Sequence, residues 1–217
     1  MFETAADSAY ETIKEKILNG ELKPGEKLSK RKMAMMTGVS VIPVIEALNR
    51  LENDGIVESK AQWGSYVTVP SPERVNDIYA LRIAVECQII RILCFRITKE
   101  QEAKLRDIAG RLDGMNYSED NERKIQELHY LFHSTMAEFT GYKTLMDSLK
   151  KVDLFNHLCR AVASRRRYSD VPGDWHMQLV DAIASRDPDD AEKRIRSHIN
   201  DSYEAVIKEM KGEYQRF

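Results

Sequence analysis

Residues 38–55, GVSVIPVIEALNRLENDG, decide the fold of the N-terminal part of the chain. Gly38 is typical of a helix end, because glycine adopts the left-handed conformation without steric cost. Ser40 is a favourable N-cap, and Pro43 falls in the first turn, where its missing N–H costs nothing. Apolar residues then recur at helical spacing: Val44, Ala47, Leu48 and Leu51. The stretch therefore predicts a tight turn followed by a helix with one buried face.

The flanks of this stretch complete a helix-turn-helix with a wing. Upstream, residues 28–37 predict a short helix capped by Ser29, so that two helices meet at a glycine turn. Downstream, residues 56–60 and 65–69 alternate as two short strands around Gln62-Trp63-Gly64. Helix pairs also occur in proteins that never contact DNA, but the added hairpin favours a DNA-binding domain.

Composition places the chain among ordinary globular proteins. Its 217 residues allow one large or two small domains, and the net charge of −2 means that any nucleic-acid surface must be local. We recognise no signal peptide and no apolar run of membrane-spanning length, which predicts a cytoplasmic protein without a membrane partner. Three cysteines form no metal motif and predict buried, reduced thiols: Cys87, Cys94 and Cys159.

Two prolines mark the expected domain boundary. Val69-Pro70-Ser71-Pro72 predicts a stiff, extended linker, and the chain after it has helical periodicity throughout. We therefore expect residues 1–69 to form the winged helix-turn-helix domain, residues 70–74 the linker, and residues 75–217 an all-helical domain. The expected fold is mostly α, with a small β-hairpin in the N-terminal domain and a helical bundle in the C-terminal one.

The segment from Tyr10 to Glu58 resembles the winged helix of the GntR family of bacterial transcription regulators. The downstream chain resembles the effector domain of the FadR-type branch of that family, called FCD. Together the two resemblances cover nearly the whole chain. They imply a dimeric DNA-binding protein that responds to a small molecule.

Basic side chains cluster around the start of the first helix of the motif, at Lys27, Lys30, Arg31 and Lys32. Helix N-termini and cationic side chains attract DNA phosphates, although a solvated charged face gives the same pattern. In the family, the position of Arg31 contacts DNA, and that match is kept here. We expect seven residues to contact DNA: Ser29, Lys30, Arg31, Ser40, Asn49, Trp63 and Gly64.

The second helix of the motif departs from the family. The family pattern is roughly Ser-Arg-Thr-Pro-Val-Arg-Glu-Ala-Leu, whereas residues 40–48 read Ser-Val-Ile-Pro-Val-Ile-Glu-Ala-Leu. Val41 and Ile45 thus replace two arginines, the side chain that reads guanine bidentately. Trp63 occupies a wing position where a cation or polar group is common in the family. Two interpretations remain open: apolar reading of an unusual AT-rich site, or a diminished role in DNA binding.

Four histidines lie on three predicted helices of the C-terminal part. His129 and His133 are one turn apart on one helix, as two ligands of the same metal ion must be. His176 and His198 lie on two later helices that can converge on one bundle interior. A single buried histidine is usually structural, but a close pair with two more on separate helices favours a divalent metal site.

The resemblance to the FCD domain implies the same ligand set with one change. The family has roughly Asp-x-x-Phe-His, a second His before an apolar run, and a third His near the end of the last helix. His133, His176 and His198 match, while His129 stands at the Asp position. The site would then hold its ion by four nitrogens, for which we expect zinc or nickel. A ligand from elsewhere, such as a carboxylate, remains the alternative: Asp174 or Asp181.

Two arginines are candidates for binding a small organic acid. Arg82 precedes Glu86 by four residues, which predicts an intrahelical ion pair, but it also matches the Arg-x-x-x-Glu pattern of the family and could face an effector cavity. Arg160 lies beside the apolar stripe of a later helix. A guanidinium fits a carboxylate bidentately, and we expect both arginines to bind the effector.

The preferred hypothesis is a ligand-responsive transcription regulator and not an enzyme. Residues 75–217 would bind the metal ion and the effector and form a homodimer, and the response would alter the fit of two winged helices to two operator half-sites. No motif of a di-iron carboxylate site, a zincin, a phosphate loop or a serine hydrolase is present. The alternative is a metal-dependent small-molecule binding protein or enzyme whose winged helix no longer reads DNA.

Overall fold

The computed structural model describes residues 4–116, 118, 120–162 and 174–214. The fold is mostly helical with one two-stranded antiparallel sheet, as the sequence predicts. In chain order the described elements are α1 (Ala5–Leu18), α2 (Lys30–Thr37), α3 (Val41–Asn53), β1 (Val57–Lys60), β2 (Gly64–Val67), α4 (Pro72–Arg96), α5 (Lys99–Asp113), α6 (Glu122–Phe139), α7 (Lys143–Val162), α8 (Trp175–Ala184) and α9 (Pro188–Tyr214).

The chain divides into two compact units. The first comprises Met1–Arg74 and Leu154–Ser164, and the second comprises Val75–Asp153 and Arg165–Phe217. The division falls just after the start of α4 and again within α7.

In the first unit, α1 packs against α3 through one apolar face and a polar contact between two side chains. Ile13 and Ile17 of α1 are buried, as is the apolar face of α3 that the sequence predicts. Arg50 Nη1 donates to Asp7 Oδ1 at 2.7 Å. Asp7 also accepts from the backbone N–H of Thr4, so one carboxylate begins α1 and ties it to α3.

The helix-turn-helix is formed by α2 and α3, which are bent by 105° relative to each other. Gly38 ends α2 with φ of 70°, the left-handed conformation that glycine adopts without strain. Ser29 and Ser40 are the N-cap residues of α2 and α3, as predicted, but neither side chain makes a capping hydrogen bond. Both serines are exposed, and the first N–H groups of each helix therefore have no capping side chain.

The wing is a short hairpin in which Val57 pairs with Val67 and Lys60 pairs with Gly64. Both strands are shorter than predicted, and Gly64 begins β2 where a turn position was expected. The chain preceding α2 also pairs with this hairpin, because the N–H of Leu28 donates to the carbonyl of Ser65 at 2.8 Å. This pairing anchors the wing beside the start of α2.

In the second unit, α5 packs against α6 and α8, and α8 packs against α9. The buried apolar side chains of this unit include Phe132 of α6 and Leu179 and Ile183 of α8. Arg186, in the turn after α8, donates to the carbonyls of Cys94 and Ile97 and so satisfies the C-terminal end of α4. The three cysteines are free and buried, as predicted.

Among the described residues, no single helix is long and apolar enough to span a membrane. By length and composition alone the α2–α3 pair meets the same criterion, but the two helices are sharply bent at their junction.

Candidate functional site

Three helices of the second unit, α6, α8 and α9, bring together the four histidines singled out from the sequence. One nitrogen from each of His129, His133, His176 and His198 lies within 4.8 Å of the corresponding nitrogen of the other three. Their ring centroids are 4.5 to 6.2 Å apart. His129 is half-buried and the other three are buried. His157 is not a member of this group.

His133 is held by a chain of buried charged groups that begins on α4. Arg82 Nε donates to Glu86 Oε1 at 2.6 Å, and Glu86 Oε2 lies 2.5 Å from His133 Nδ1. An ionised carboxylate only accepts, so we assign the imidazole proton to Nδ1. His133 Nε2 then carries a lone pair, and it is buried without a hydrogen-bond partner in the described part of the chain.

His176 is held in the same way by Asp113, the last residue of α5. Asp113 Oδ1 lies 2.6 Å from His176 Nδ1, and Asp113 Oδ2 accepts from the backbone N–H groups of His176 and Met177 at 3.0 and 2.9 Å. One carboxylate therefore caps α8 and orients the imidazole. His176 Nε2, like its counterpart on α6, is buried with no hydrogen bond to any described group.

The two oriented imidazoles fit a metal ion. A buried acceptor without a partner costs about 1–3 kcal/mol, and a bound cation would supply the missing partner to each Nε2. A carboxylate on Nδ1 and a metal on Nε2 is the usual arrangement around a metal-ligating histidine. With His129 and His198 beside them, the donor set consists of imidazoles, which suit zinc, nickel or copper.

The alternative carboxylate ligands are engaged elsewhere. Asp181 Oδ1 accepts from Arg106 Nη1 at 2.6 Å, and its side chain is 61 % exposed. Asp174 Oδ1 accepts from the side-chain amide of Gln178. Neither belongs to the histidine group, so the four-nitrogen set is the one that the geometry assembles.

Burial and neighbouring groups set the protonation states of His133 and Glu86. It lowers the pKa of His133, outweighing the opposing effect of Glu86, so the ring is neutral at pH 7. Burial by itself would raise the pKa of Glu86, but the hydrogen bond from the neutral His133 ring and the charge and hydrogen bond of Arg82 outweigh it and lower that pKa. The carboxylate therefore stays ionised, and the imidazole stays in the neutral form that a metal requires.

Arg82 retains unused hydrogen-bonding capacity. Its side chain is fully buried, and of its three nitrogens Nε is the one that donates to Glu86. Nη1 and Nη2 are buried without hydrogen-bond partners in the described chain. Two unpartnered guanidinium nitrogens present a bidentate site for a carboxylate. The intrahelical ion pair and a free guanidinium edge thus coexist at this residue. The Arg160 side chain, the other predicted effector contact, lies outside the described residues.

The predicted DNA-contacting residues all lie on the surface of the first unit. Lys30 and Arg31 occupy the first turn of α2. The charge of Lys32 is offset by Glu26, whose Oε1 lies 2.9 Å from Lys32 Nζ. Lys30 and Arg31 are therefore the better candidates for contacting phosphates. The exposed residues are Ser29, Lys30, Arg31, Ser40, Asn49, Trp63 and Gly64.

The outward side of the helix-turn-helix is apolar where the family pattern has arginines. Ile42 is 78 % exposed and Val41 is 38 % exposed, while Ile45 on the same side of α3 is half-buried. Met35 of α2 and Trp63 of the wing are also exposed, at 86 % and 69 %. The buried residues of α3 lie on its opposite side: Val44, Ala47, Leu48 and Leu51.

Three contacts of the histidine centre were not predicted. Glu86 was recognised only as the partner of Arg82, and Asp113 had no signal beyond its place at a helix end. The Trp175 ring lies 4.5 Å from the His198 ring. These partners come from distant parts of the chain, and the spacing within one helix does not reveal them.

Two family models match the chain. Residues 5–67 match the model of bacterial regulatory proteins of the gntR family. Residues 77–201 match the model of the FCD domain. The two matches divide at the proline-containing segment between β2 and α4.

Curated relatives match over most of their length. The HTH-type transcriptional regulator YdhC of Bacillus subtilis is 24 % identical over 193 residues, which is 88 % of this chain and 86 % of the relative. The Nta operon transcriptional regulator of Aminobacter aminovorans is 25 % identical over 190 residues, covering 88 % of this chain and 89 % of the relative.

Among solved structures, a transcriptional regulator described as GntR from Rhodococcus sp. RHA1 has the same fold, with a TM-score of 0.75. It is 20 % identical to this chain, and the superposition covers 94 % of this chain and 97 % of that one. E. coli McbR/YncC superposes with a TM-score of 0.74 at 16 % identity, over 95 % of this chain and 99 % of that one.

Proposed function

The chain belongs to the gntR family of bacterial regulatory proteins and carries an FCD domain, and from this we propose that it is a metal-dependent, carboxylate-responsive regulator. Its class is that of a transcription regulator with a DNA-binding domain, not of an enzyme. The observation that carries the finer proposal is the group of four histidines, two of which have a buried, unpartnered Nε2.

The residues that would hold the metal ion are His129, His133, His176 and His198. Zinc or nickel suits this set of imidazole donors. When bound, the ion supplies a positive centre that polarises and anchors a carboxylate. Glu86 and Asp113 orient two of the ligands and keep the proton of each on Nδ1.

The effector we propose is a small organic acid. Arg82 supports this, because Nη1 and Nη2 are buried and lack partners in the described chain. A carboxylate would satisfy both nitrogens and offset a buried charge that Glu86 engages at only one position. We retain Arg160 as a second effector contact on the strength of its position in the sequence.

The working form we propose is a cytoplasmic homodimer that presents two winged helices to two half-sites of operator DNA. An outward-facing part of α4 supports the dimer, since Leu81 and Phe95 are 43 % and 70 % exposed on a helix that is otherwise largely buried. The winged-helix domain would be residues 1–69, and the metal-binding, effector-binding and dimerisation domain residues 75–217, joined by residues 70–74. Binding of metal and acid would change the affinity for the operator.

The test is selection of DNA by the purified full-length chain from fragments of its own genome, followed by binding over a salt series. The proposal expects enrichment of a palindromic site, an affinity that falls steeply with salt, and a further change on adding zinc and organic acids. Absence of any enriched site under all of these conditions would overturn it. The remaining role would then be that of a metal-dependent small-molecule binding protein.

A further inference from the structure

We propose that α3 reads the methyl groups of thymine in its operator, in place of the guanines that arginines would read. This inference rests on the proposed function, because it names the base chemistry that the same helix recognises. The apolar side of α3 would then contact the major groove of DNA.

The shape and chemistry of the exposed side of α3 carry the first step. Val41 and Ile42 are exposed and Ile45, on the same side of the helix, is half-buried. None of the three side chains has a hydrogen-bonding group. In the major groove, the feature of a base pair that such side chains can contact favourably is the C5-methyl group of thymine. Guanine O6 and N7 would lose water there without gaining a donor, which disfavours G·C pairs at the contacted positions.

Asn49 supports the choice of A·T pairs. It is one helical turn beyond Ile45 on α3 and is exposed. The asparagine side chain pairs bidentately with N6 and N7 of adenine. An apolar helix start followed by an exposed asparagine therefore matches thymine methyl groups and an adenine edge within one half-site.

The surroundings of this side favour a nucleic acid over a protein partner. Lys30 and Arg31 are exposed in the first turn of α2, beside N–H groups that no cap side chain satisfies. Helix N-termini and cations of this kind contact phosphates. The exposed acid Glu46 lies one turn before Arg50, and the positive charge of Arg50 partly offsets its negative charge. An apolar strip bordered by phosphate-binding groups is complementary to the floor and the edges of a DNA groove.

The decisive experiment removes single methyl groups from DNA. The operator selected by the full-length protein is resynthesised with deoxyuridine at each thymine in turn, which deletes the C5-methyl group and leaves every hydrogen-bonding group in place. Each contacted methyl group should contribute about fourfold to affinity, the equivalent of burying one CH₂ group. Deoxyuridine outside the half-sites should leave the affinity unchanged.

A protein variant makes the readout specific to one side chain. Ile42→Ala should fold normally because Ile42 is mostly exposed, and it should abolish the cost of deoxyuridine at the thymine that Ile42 contacts. Val69→Ala is the matched control, since Val69 is a 51 % exposed apolar residue outside the helix-turn-helix. This control should retain the full cost at every thymine.

The outcomes separate this inference from the function on which it rests. If operators are selected but deoxyuridine costs less than twofold at every position, the methyl-reading inference is wrong and the regulator stands. Selected half-sites with guanines opposite the start of α3 would have the same meaning. If no DNA is selected, the proposed function fails first, and the apolar side of α3 has another partner.

Discussion

At the residue scale, His129 is the position where this chain departs from the ligand pattern that its resemblance implies. Replacing His129 by Asp exchanges an imidazole for an oxygen donor in a group whose other three members are unchanged. We expect the variant to bind zinc and nickel more weakly and to gain relative affinity for Mn²⁺, because carboxylate ligands suit harder cations. Competition titrations with a chromophoric chelator would measure both affinities.

His157→Ala is the control for that experiment, because it removes a histidine that is not in the group. It should leave the affinity for every metal unchanged. An unaltered ranking of zinc, nickel and manganese in the His129→Asp variant would mean that residue 129 does not ligate the ion.

Glu86 gives a second prediction at this scale. Glu86→Gln keeps the size of the side chain but removes the charge that faces both Arg82 and His133. Loss of such an orienting carboxylate typically costs 10–100-fold in metal affinity, and we expect a loss of about that size. Because Arg82 would also lose its charged partner, the free energy of unfolding of the metal-free protein should fall as well.

Glu127→Gln on α6 serves as the comparison, since Glu127 forms an exposed pair with Arg123. Its effect on both measurements should be small. Equal metal affinities for the two glutamine variants would show that Glu86 has no part in positioning His133.

At the element scale, Asp113 connects the end of α5 to the start of α8. Its carboxylate accepts from two backbone N–H groups of α8 and from the His176 ring. Asp113→Ala should therefore lower the free energy of unfolding by about 1–3 kcal/mol and loosen the first turn of α8. Hydrogen exchange of the α8 amides, with and without zinc, would test it. Unchanged exchange in the first turn would contradict this account.

The α1–α3 contact predicts a pH dependence for the first unit. The backbone hydrogen bond from Thr4 and the hydrogen bond from Arg50 hold the pKa of Asp7 at about 2, below its ordinary value of 3.8. A lowered folded-state pKa contributes stability above the unfolded-state pKa, and that contribution is lost as the pH falls towards 2. The stability difference between wild type and Asp7→Asn should therefore be constant from pH 5 to pH 8 and shrink below about pH 4.

Chemical denaturation at a series of pH values would measure that difference. Glu21→Gln is a suitable control, because Glu21 pairs with Lys16 on the surface and begins no helix. A difference between wild type and Asp7→Asn that persists undiminished at pH 2 would show that the Asp7 charge is not the source.

At the scale of the whole molecule, metal binding and stability should be linked. An ion that binds only the folded protein raises its free energy of unfolding by about 2.7 kcal/mol at a free concentration 100 times its Kd. We expect zinc or nickel to raise the Tm of the purified protein, and a chelator to reverse the rise. The double variant His133→Ala and His176→Ala should not respond. A rise of equal size in that variant would place the ion elsewhere.

The sequence by itself determined the elements and the fold class. Gly38 and the apolar face of α3 predict the turn and the helix of the DNA-binding motif, and the observed bounds differ from the predicted ones by few residues. Helical periodicity and helix capping involve residues that are close in the chain, so both can be recognised from the sequence without any tertiary contact. The pattern also placed four histidines on helices that face a common interior.

Only the tertiary structure decided which side chains complete the centre. Glu86 reaches His133 across 47 positions and Asp113 reaches His176 across 63, and nothing in local spacing links those residues. Helical periodicity shows which side of each helix is buried but not which helices meet or in what register. Three features follow from that meeting, because burial and neighbouring groups control them: the ionised Glu86, the neutral His133 and the unpartnered nitrogens of Arg82.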